Sequence, residues 1–368
     1  MISMDHLSPY SIGMDISEIE TPALLLDLDI MEKNIWEMAK YFNQRPAGIR
    51  PHIKNHMSPF IAHKQMDAGA VGVCCQTVAE AEIMAYSGIK DILIANEVIG
   101  KSKIDRLLDL TRHTHMMVAV DHPSNVRDLS KAATKKKASI DVLIDLDTGY
   151  GRCGIQPGDS ALKLSQLIVD SHGLEFKGIN GYTPASFDED QEEKRAKQEK
   201  KLKVDIDTRD LLIKNGIEVE MVSAGCTRDF FISADYPGIT EVQPGTYIYM
   251  DIGHRELIDT TPVDLDYAMT VLTTVISTPV DDRVVVDAGS KAILKIDSRL
   301  KDLKGYELYA LSAEHGKLRV NEPERKLALG EKIELIPSYG DGTVNRWSRY
   351  LGVRKGKLET VIPIYHPY

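Results

Sequence analysis

The stretch Asp91-Ile-Leu-Ile-Ala-Asn-Glu97 decides the fold class of this chain. Its central residues, from Ile92 to Ala95, are all apolar, and Val142-Leu-Ile144 repeats the pattern further along. Strands that are apolar on both faces are typical of a parallel sheet covered on both sides. The sequence therefore predicts an α/β architecture built on a buried parallel sheet.

Further β-rich segments alternate with helical ones over the first two thirds of the chain. The predicted strands span residues 48–54, 70–77, 91–97, 116–121, 139–147, 175–182, 218–227 and 240–247. Helical spacing of apolar residues is clear in 78–86, 102–112 and 161–170, and weakest after the seventh and eighth strands. The charged stretch 188–203 is interpreted as a solvated helix rather than a binding patch. Eight such units predict a closed (β/α)8 TIM barrel over residues 30–256.

The pattern changes after the barrel region. Four segments there have strand character without long helices between them: residues 268–277, 282–287, 306–311 and 332–337. We therefore expect a separate, mostly-β C-terminal domain. Residues 21–29 are also strand-like and precede a predicted helix at 30–42, so they are expected to join it. The β domain is thus assigned to residues 1–29 and 257–368.

Length, charge and cysteine spacing narrow the classes of function. A chain of 368 residues can form a barrel and a smaller domain. Its net charge of -10 argues against a nucleic-acid partner. Neither a long apolar run nor a cationic leader is present, so no membrane span or signal peptide is predicted. The four cysteines lack CxxC spacing, which favours a reducing cytoplasm over a zinc site or a disulfide framework.

Lys54 lies in the run Gly48-Ile-Arg-Pro-His-Ile-Lys-Asn-His56, at the end of the first predicted strand. Because side chains alternate along a strand, His52 and Lys54 would share one face. An amine held among Arg50, His52 and His56 would lose its proton more easily than a solvated lysine, as Schiff-base chemistry requires. The alternative interpretation is a strand that simply ends in basic surface residues.

Residues at the carboxyl ends of barrel strands converge on one mouth. After Lys54, the candidates there are Gln76, Thr77, Asn96, Glu97, Asp147, Arg152, Tyr182, Ser223, Gly225, Cys226, Thr227, Gly245, Thr246 and Tyr247. Barrels frequently bind phosphate between the last two loops, and residues 223–227 and 244–247 offer hydroxyls and backbone N–H groups. A lysine amine and a phosphate cradle are the two anchors of pyridoxal 5'-phosphate, whose ring nitrogen Arg152 could face.

These motifs resemble the fold-type III pyridoxal-phosphate enzymes of the D-threonine aldolase and D-serine dehydratase-like group, which have the alanine racemase fold. The matching stretches are 21–29 with Asn34, 50–56, 77–82, 94–97, 151–154, 181–182, 243–247, 287–289 and 314–316. The resemblance implies that Lys54 carries the internal aldimine and that Arg152 contacts the pyridine nitrogen. It also implies that Tyr182 lies by the ring, and that the loops at 223–227 and 245–247 hold the phosphate.

The chain departs from the family's pattern at three places. Metal-dependent members carry a His-x-Cys or His-x-Asp pair where this chain has Pro337-Ser-Tyr-Gly-Asp341, so Tyr339 replaces the histidine. The histidine that usually follows the Gly-Tyr of strand six is missing from 181–186, and the Gly-Gly-Thr phosphate turn becomes Ala224-Gly-Cys-Thr227. We therefore expect a divalent-metal site at Asp341 to be absent or much weakened. Tyr339 is either a packing residue or a catalytic phenol.

Together these features predict a cytoplasmic pyridoxal-phosphate lyase that acts on a small, D-configured β-hydroxy amino acid, by aldol cleavage ahead of dehydration. The expected catalytic residues are Lys54, His52, Tyr182 and Tyr339. The first alternative is an amino-acid racemase that uses Lys54 and a tyrosine as its two bases. A non-catalytic pyridoxal-phosphate carrier is a second alternative, against which the β domain argues. A homodimer is expected, with the β domain of one chain near the barrel mouth of the other.

Overall fold

The computed structural model describes residues 10–182, 184, 190–256, 258, 261–294 and 296–367. Two compact units divide the chain. The first, which we call the barrel unit, contains Met38–Gly245, Thr260–Val263 and Pro367–Tyr368, and the second, the β unit, contains Met1–Glu37, Thr246–Asp259 and Asp264–His366. Strand β1 (Ala23–Asp27) and helix α1 (Leu28–Phe42) come first, and the division between the units falls within α1.

The barrel unit is built on a parallel sheet. Within the described residues its eight strands are β2 (Gly48–Ile49), β3 (Val73–Cys75), β4 (Asp91–Glu97), β5 (His115–Val120), β6 (Ile140–Asp145), β7 (Leu174–Gly181), β8 (Met221–Ala224) and β9 (Glu241–Val242). Their order is β2-β9-β8-β7-β6-β5-β4-β3. A parallel bridge between His52 and Cys74 joins the two ends of the sheet, and Cys74 N–H donates to the Pro51 carbonyl at 2.8 Å. The predicted barrel architecture is confirmed.

Helices alternate with these strands. They are α2 (Pro59–Asp67), α3 (Val78–Tyr86), α4 (Lys101–Leu110), α5 (Pro123–Lys136), α6 (Asp159–Val169), α7 (Gln191–Lys214) and α8 (Phe230–Ser233). Helix α3 begins at a capping box: Thr77 Oγ1 accepts the Glu80 N–H at 3.1 Å, and the Glu80 carboxylate accepts the Thr77 N–H. In the part of the chain that the structure describes, every helix is too short or too polar to cross a membrane.

Both faces of the barrel strands are buried, as the apolar runs predicted. Ile92 and Ile94 of β4 belong to the core cluster that also contains Leu107 of α4. Leu93 and Ala95, which alternate with them, belong to a separate buried cluster with residues of β3, β5 and β6. The alternation of side chains along one strand therefore supplies both the helix-facing core and the barrel interior.

Two expectations about the barrel need correction. Lys54 does not share a strand face with His52, because residues Ile53–Asn55 form a 3-10 turn that begins at His52. Helix α7 is longer than the predicted charged helix, and the predicted part is not wholly solvated, since Lys194 and Gln198 are each only 1 % exposed. Residues 188 and 189 of that prediction lie outside the described residues.

The β unit is built on a mixed sheet. Its described strands after β1 are β10 (Met269–Val280), β11 (Arg283–Val286), β12 (Arg299–Leu300), β13 (Tyr306–Leu311), β14 (Gly316–Val320), β15 (Lys332–Ile336), β16 (Arg349–Arg354) and β17 (Lys357–Pro363). Strand β1 pairs antiparallel with β10 and parallel with β16, which confirms that the segment at 21–29 joins this sheet. The short helices are α9 (Ile252–Arg255) and α10 (Gly340–Val344). Strands β12, β14, β16 and β17 were not predicted from the sequence.

Candidate active site

Lys54 lies in the 3-10 turn that follows β2 and is half-buried. His52 caps this turn: its Nδ1 accepts the Lys54 backbone N–H at 3.4 Å, and its Nε2 lies 3.1 Å from Gln76 Oε1. Because Nδ1 accepts, Nε2 carries the proton and donates to Gln76. Burial, and then the charge of Lys54, lowers the pKa of His52 well below its usual value. His52 is therefore a neutral donor beside Lys54.

The cationic surroundings predicted for Lys54 are wrong. His56 is fully buried, its Nδ1 accepts the Ser58 N–H at 3.1 Å, and burial lowers its pKa to about 3. Arg50 faces the amino ends of the strands, where it pairs with Glu241 at 2.8 Å and with Asp91. Both histidines are thus neutral, and two carboxylates balance the charge of Arg50.

The last two barrel loops are joined to the turn of Lys54. Thr227 Oγ1 accepts the Gly245 N–H at 3.1 Å. Gly245 also approaches Asn55, the residue after Lys54, so closely that a Cβ on it would lie 1.7 Å from Asn55 Oδ1. Glycine is therefore required at 245, and this close packing brings together Lys54, Thr227 and Gly245, which the sequence placed at one mouth.

The loop after β8 is a tight turn that depends on glycine. Gly225 has a φ of +77°, and a Cβ there would lie 2.6 Å from Ser233 Oγ. Cys226 N–H donates to Asp229 Oδ1 at 2.7 Å, and Asp229 is fully buried. Burial raises the pKa of the Cys226 thiol to about 12, so the thiol stays protonated. Cys226 therefore shapes this loop through its backbone.

A chain of hydrogen bonds runs through the barrel interior. Ser223 Oγ donates to Glu241 at 2.6 Å and accepts from Gln243 Nε2 at 2.7 Å. Gln243 Nε2 also donates to Asn180 Oδ1 at 2.8 Å, and Asn180 Nδ2 donates to Asp145 at 2.5 Å. The Ser223 hydroxyl therefore donates its proton within this chain of hydrogen bonds, and its contact with a phosphate stays a prediction.

Arg152 and Tyr182 lie together, as the sequence predicted for residues of one mouth. The guanidinium of Arg152 lies 4.6 Å from the centre of the Tyr182 ring, and Tyr150 meets Tyr182 edge to face at 6.1 Å. Burial raises the pKa of Tyr182 above its usual value, so its phenol stays protonated. Arg152 is exposed, and its charge contributes to lowering the pKa of His52.

Asp145 is a mouth residue to which sequence analysis assigned no role. Its carboxyl oxygen, a Glu97 oxygen and Cys153 Sγ lie within 4.8 Å of one another. Burial, together with the hydrogen bond and charge of Glu97, raises the pKa of Asp145 to about 7. Glu97 Oε1 is buried and has no hydrogen-bond partner among the described residues. Asp145 lies two residues after Leu143 and therefore on the same inward face of β6. The alternation of side chains along this strand could have predicted its position at the mouth.

The remaining predicted residues belong to the β unit. Tyr339 precedes α10 and is 36 % exposed. The next residue, Gly340, donates its N–H to Asp251 Oδ2 at 2.7 Å, and Tyr249 OH donates to Asp341 Oδ1 at 3.1 Å. These contacts fix the turn that presents Tyr339. Thr246 and Tyr247 are buried residues of the 3-10 turn Thr246–Ile248 in the same unit.

Comparisons with known proteins match the chain to two family models and to relatives over nearly its whole length. The family model "Alanine racemase, N-terminal domain" matches residues 26–252, and "Putative serine dehydratase domain" matches residues 268–353. The chain is 36% identical to 3-hydroxy-D-aspartate aldolase of Paracoccus denitrificans (strain Pd 1222), over 96% of this chain and 93% of that protein. It is 33% identical to D-threonine aldolase of an Arthrobacter species, over 96% of this chain and 94% of that protein. The crystal structure of D-threonine aldolase from Filomicrobium marinum superposes with a TM-score of 0.92 at 34% identity, over 97% of this chain and 98% of that one.

Proposed function

The chain belongs to the alanine racemase N-terminal domain family, and we propose that it is a lyase that cleaves a D-configured β-hydroxy amino acid with pyridoxal 5'-phosphate bound at Lys54. The relatives that align over nearly the whole chain are aldolases of 3-hydroxy-D-aspartate and of D-threonine. The observation that carries the proposal is the packing of the Lys54 turn against Gly245, which is itself bonded to Thr227.

The residues at this mouth fit pyridoxal phosphate in their chemistry. Lys54 offers an amine for the aldehyde, and the loop at Gly225–Thr227 offers the Thr227 hydroxyl and backbone N–H groups other than that of Cys226, which donates to Asp229, for the phosphate. Arg152, stacked on Tyr182, offers a guanidinium for the ring nitrogen. When bound, the cofactor supplies an electron sink for the bond that breaks at the substrate Cα.

The chain must supply the proton transfers of an aldol cleavage. One group takes the proton of the β-hydroxyl, and another returns a proton to Cα. We assign the first role to Tyr339 Oη, on an exposed turn of the β unit, and the second to Lys54 Nζ. His52 orients the turn of Lys54 through its Nδ1. Burial raises the pKa of Tyr182, so its phenol keeps its proton. We assign the Tyr182 ring a packing role, because Arg152 stacks on it.

The proposal includes assembly and location. A homodimer would exclude water from the bound intermediates, because each barrel mouth could be covered by the partner chain. The four cysteines are free thiols, and two of them are fully buried in β3, as suits a reducing cytoplasm. Light scattering of the active enzyme at assay concentration would test the dimer, which full activity in a verified monomer would contradict.

One assay separates the candidate reactions. The purified protein, saturated with pyridoxal phosphate, is incubated with 3-hydroxy-D-aspartate, D-threonine, D-serine, D-alanine and their L-isomers. Release of glycine and an aldehyde from a D-configured β-hydroxy substrate is the expected outcome. Release of ammonia with a 2-oxo acid would show a dehydratase instead, and interconversion of D- and L-alanine would show a racemase.

The attachment site is tested separately. Borohydride reduction should trap the cofactor on Lys54, and mass spectrometry of the digested protein should locate it there. Lys54→Ala should abolish the adduct, whereas Lys64→Ala on α2 should retain it. An adduct on another lysine in the wild-type protein would overturn the assignment of Lys54.

A further inference from the structure

Helix α7 carries a buried cation on the face that it turns to the loop after β8. Lys194 and Gln198 are one helical turn apart, so they lie on the same face of α7, and both are almost fully buried. The ammonium of Lys194 lies 5.8 Å from the centre of the Phe231 ring of α8. Lysine is rarely buried to this extent unless its charge is compensated. The burial of Lys194 therefore indicates an interaction with an anionic group in this part of the barrel unit.

The carboxylate of Asp229 connects this face of α7 to the loop. Asp229 is fully buried, its Oδ1 accepts the Cys226 N–H at 2.7 Å, and its Oδ2 accepts from Gln198 Nε2 at 2.9 Å. Burial lowers the pKa of Lys194, and the charge of Asp229 is the largest effect that opposes this. Lys194 and Asp229 are therefore buried charges of opposite sign that interact beside the loop at Gly225–Thr227.

A buried carboxylate beside this loop is unfavourable for a bound anion. Burial, and then the charge of Asp229, raises the pKa of the Cys226 thiol to about 12, so this charge acts on a side chain of the loop. Without compensation, the same charge would repel a phosphate group, which is close to a dianion at neutral pH. Arg228 adds a second cation, whose charge lowers the pKa of Cys226. The charges of Lys194, Arg228 and Asp229 sum to one positive charge.

We propose that Lys194 is a positioning residue that cancels the charge of Asp229, so that Asp229 can fix the loop at Gly225–Thr227 without repelling the phosphate of the cofactor. The inference rests on the proposed function, in which this loop holds the phosphate. Asp229 shapes the loop through the Cys226 N–H, and Lys194 acts on the phosphate through its charge. Because both charged groups are buried, dissolved salt screens them only weakly.

Two forms of the cofactor test this charge balance. The dissociation constants of pyridoxal phosphate and of pyridoxal, which lacks the phosphate, are measured by absorbance titration of the resolved apoenzyme. The variants are Lys194→Met, Asp229→Asn and the double variant. Methionine keeps an unbranched side chain without the charge, and asparagine keeps an oxygen for the Cys226 N–H. Lys203→Met is the control, because Lys203 is an exposed lysine of the same helix that pairs with Asp207.

We expect Lys194→Met to bind pyridoxal phosphate about 10- to 100-fold more weakly and pyridoxal as tightly as the wild type does. This loss should persist at about 0.5 M salt, where interactions between exposed charges are screened. Asp229→Asn should bind pyridoxal phosphate at least as tightly as the wild type. The double variant should recover most of the affinity that Lys194→Met loses, since it removes one charge of each sign. Lys203→Met should leave both constants unchanged.

Three results would overturn the inference. An equal loss of pyridoxal affinity in Lys194→Met would show a general structural defect, and a double variant as weak as Lys194→Met would show that Lys194 does not act by cancelling Asp229. Weaker binding of pyridoxal phosphate by Asp229→Asn has the same meaning and decides the question if Lys194→Met does not fold.

The wild-type enzyme separates these failures from a failure of the proposed function. If it prefers pyridoxal phosphate to pyridoxal, is trapped by borohydride at Lys54 and releases glycine, the proposed function stands without the role of Lys194. A wild-type enzyme without these properties would overturn both.

Discussion

The hydroxyl of Tyr249 donates a hydrogen bond of 3.1 Å to Oδ1 of Asp341. Tyr249 is fully buried, and burial, followed by the charge of Asp341, raises the pKa of its phenol well above the usual value. The phenol therefore remains a donor throughout the physiological range. The family resemblance implies that Asp341 is the remaining carboxylate of a metal-binding pair in which Tyr339 replaces a histidine. A divalent ion at Asp341 would have to share or displace this hydrogen bond and would lack the nitrogen ligand that zinc prefers.

Removal of divalent ions should therefore leave the activity largely intact. Dialysis against a chelator, followed by measurement of glycine release with and without added Mn2+, checks this expectation. Asp341→Asn is the matched variant and should respond to the chelator as the wild type does. Complete loss of activity in the chelator, restored by Mn2+ or Zn2+, would show that Asp341 recruits other ligands.

Without a metal ion, a protein group must take the proton of the substrate's β-hydroxyl. Tyr339 is exposed enough to reach a ligand and precedes the turn fixed by Gly340 and Asp251. We expect Tyr339→Phe to lower kcat by about 100-fold, within the range of general acid–base catalysis, with little change in KM. Tyr365→Phe, which removes another exposed phenol of the β unit, should be neutral. Full activity of Tyr339→Phe would assign Tyr339 to packing and the proton transfer to another group.

The stability of the protein should fall on mild acidification because His56 is buried without charge. Its pKa in the folded state is about 3, and that of an unfolded histidine is about 6.5. Between these values the unfolded chain binds a proton that the folded chain does not, so stability decreases as the pH falls. The slope from one such group is about 1.4 kcal/mol per pH unit.

Urea unfolding of His56→Gln at pH 6.5, 5.5 and 4.5 measures this slope. Subtracting the variant's free energy of unfolding from that of the wild type at each pH removes the contributions of other titrating groups. The wild type should lose more stability per pH unit than His56→Gln, whatever their difference at pH 6.5. His63→Gln, at an exposed position of α2, should retain the wild-type slope. Equal slopes for His56→Gln and the wild type would mean that His56 is protonated in the folded state.

The sequence predicts elements best where the signal is local. The predicted and observed bounds of β4, α3 and β13 are identical. For β4 the signal is a run of apolar residues, and for α3 it is the helical spacing of Ala79, Ile83 and Met84, both contained within a few residues. Strands β16 and β17 depend on their pairing with each other and with β1, which no short segment specifies.

The candidate site likewise combines features that the sequence predicts with features that depend on distant contacts. The convergence of Lys54, Thr227 and Gly245 follows from barrel topology, which the alternation of strands and helices predicts. The orientation of Arg50 could not be predicted, because its partners Glu241 and Asp91 lie 191 and 41 residues away along the chain. The neutral state of His52 likewise could not be predicted, because it depends on how deeply the side chain is buried.

Asp145 and Asp147 are neighbouring carboxylates of one segment with opposite electrostatic surroundings. Burial raises the pKa of Asp145 to about 7, whereas backbone N–H groups of Gly149 and Gly151 lower the pKa of Asp147. An unfolded aspartate has a pKa of about 3.9. The folded chain thus holds the proton of Asp145 more tightly than the unfolded chain does, and this contribution to stability is lost as the pH rises through 7. The contribution of Asp147 to stability has the opposite pH dependence. It increases as the pH rises, because folding favours the ionised form of Asp147.

Replacement of each aspartate by asparagine should therefore shift stability in opposite directions at high pH. At pH 8 we expect Asp145→Asn to be more stable than the wild type by about 1 to 3 kcal/mol, because it removes a buried charge, and at pH 5 nearly equal to it. Asp147→Asn should be less stable than the wild type at pH 8, because it removes the ionised acceptor of two backbone N–H groups. Urea unfolding of the three proteins at both pH values measures these differences. A destabilised Asp145→Asn at pH 8 would show that Asp145 is held as a carboxylate by a cation, with Arg152 as the candidate, since its charge lowers the pKa of Asp145.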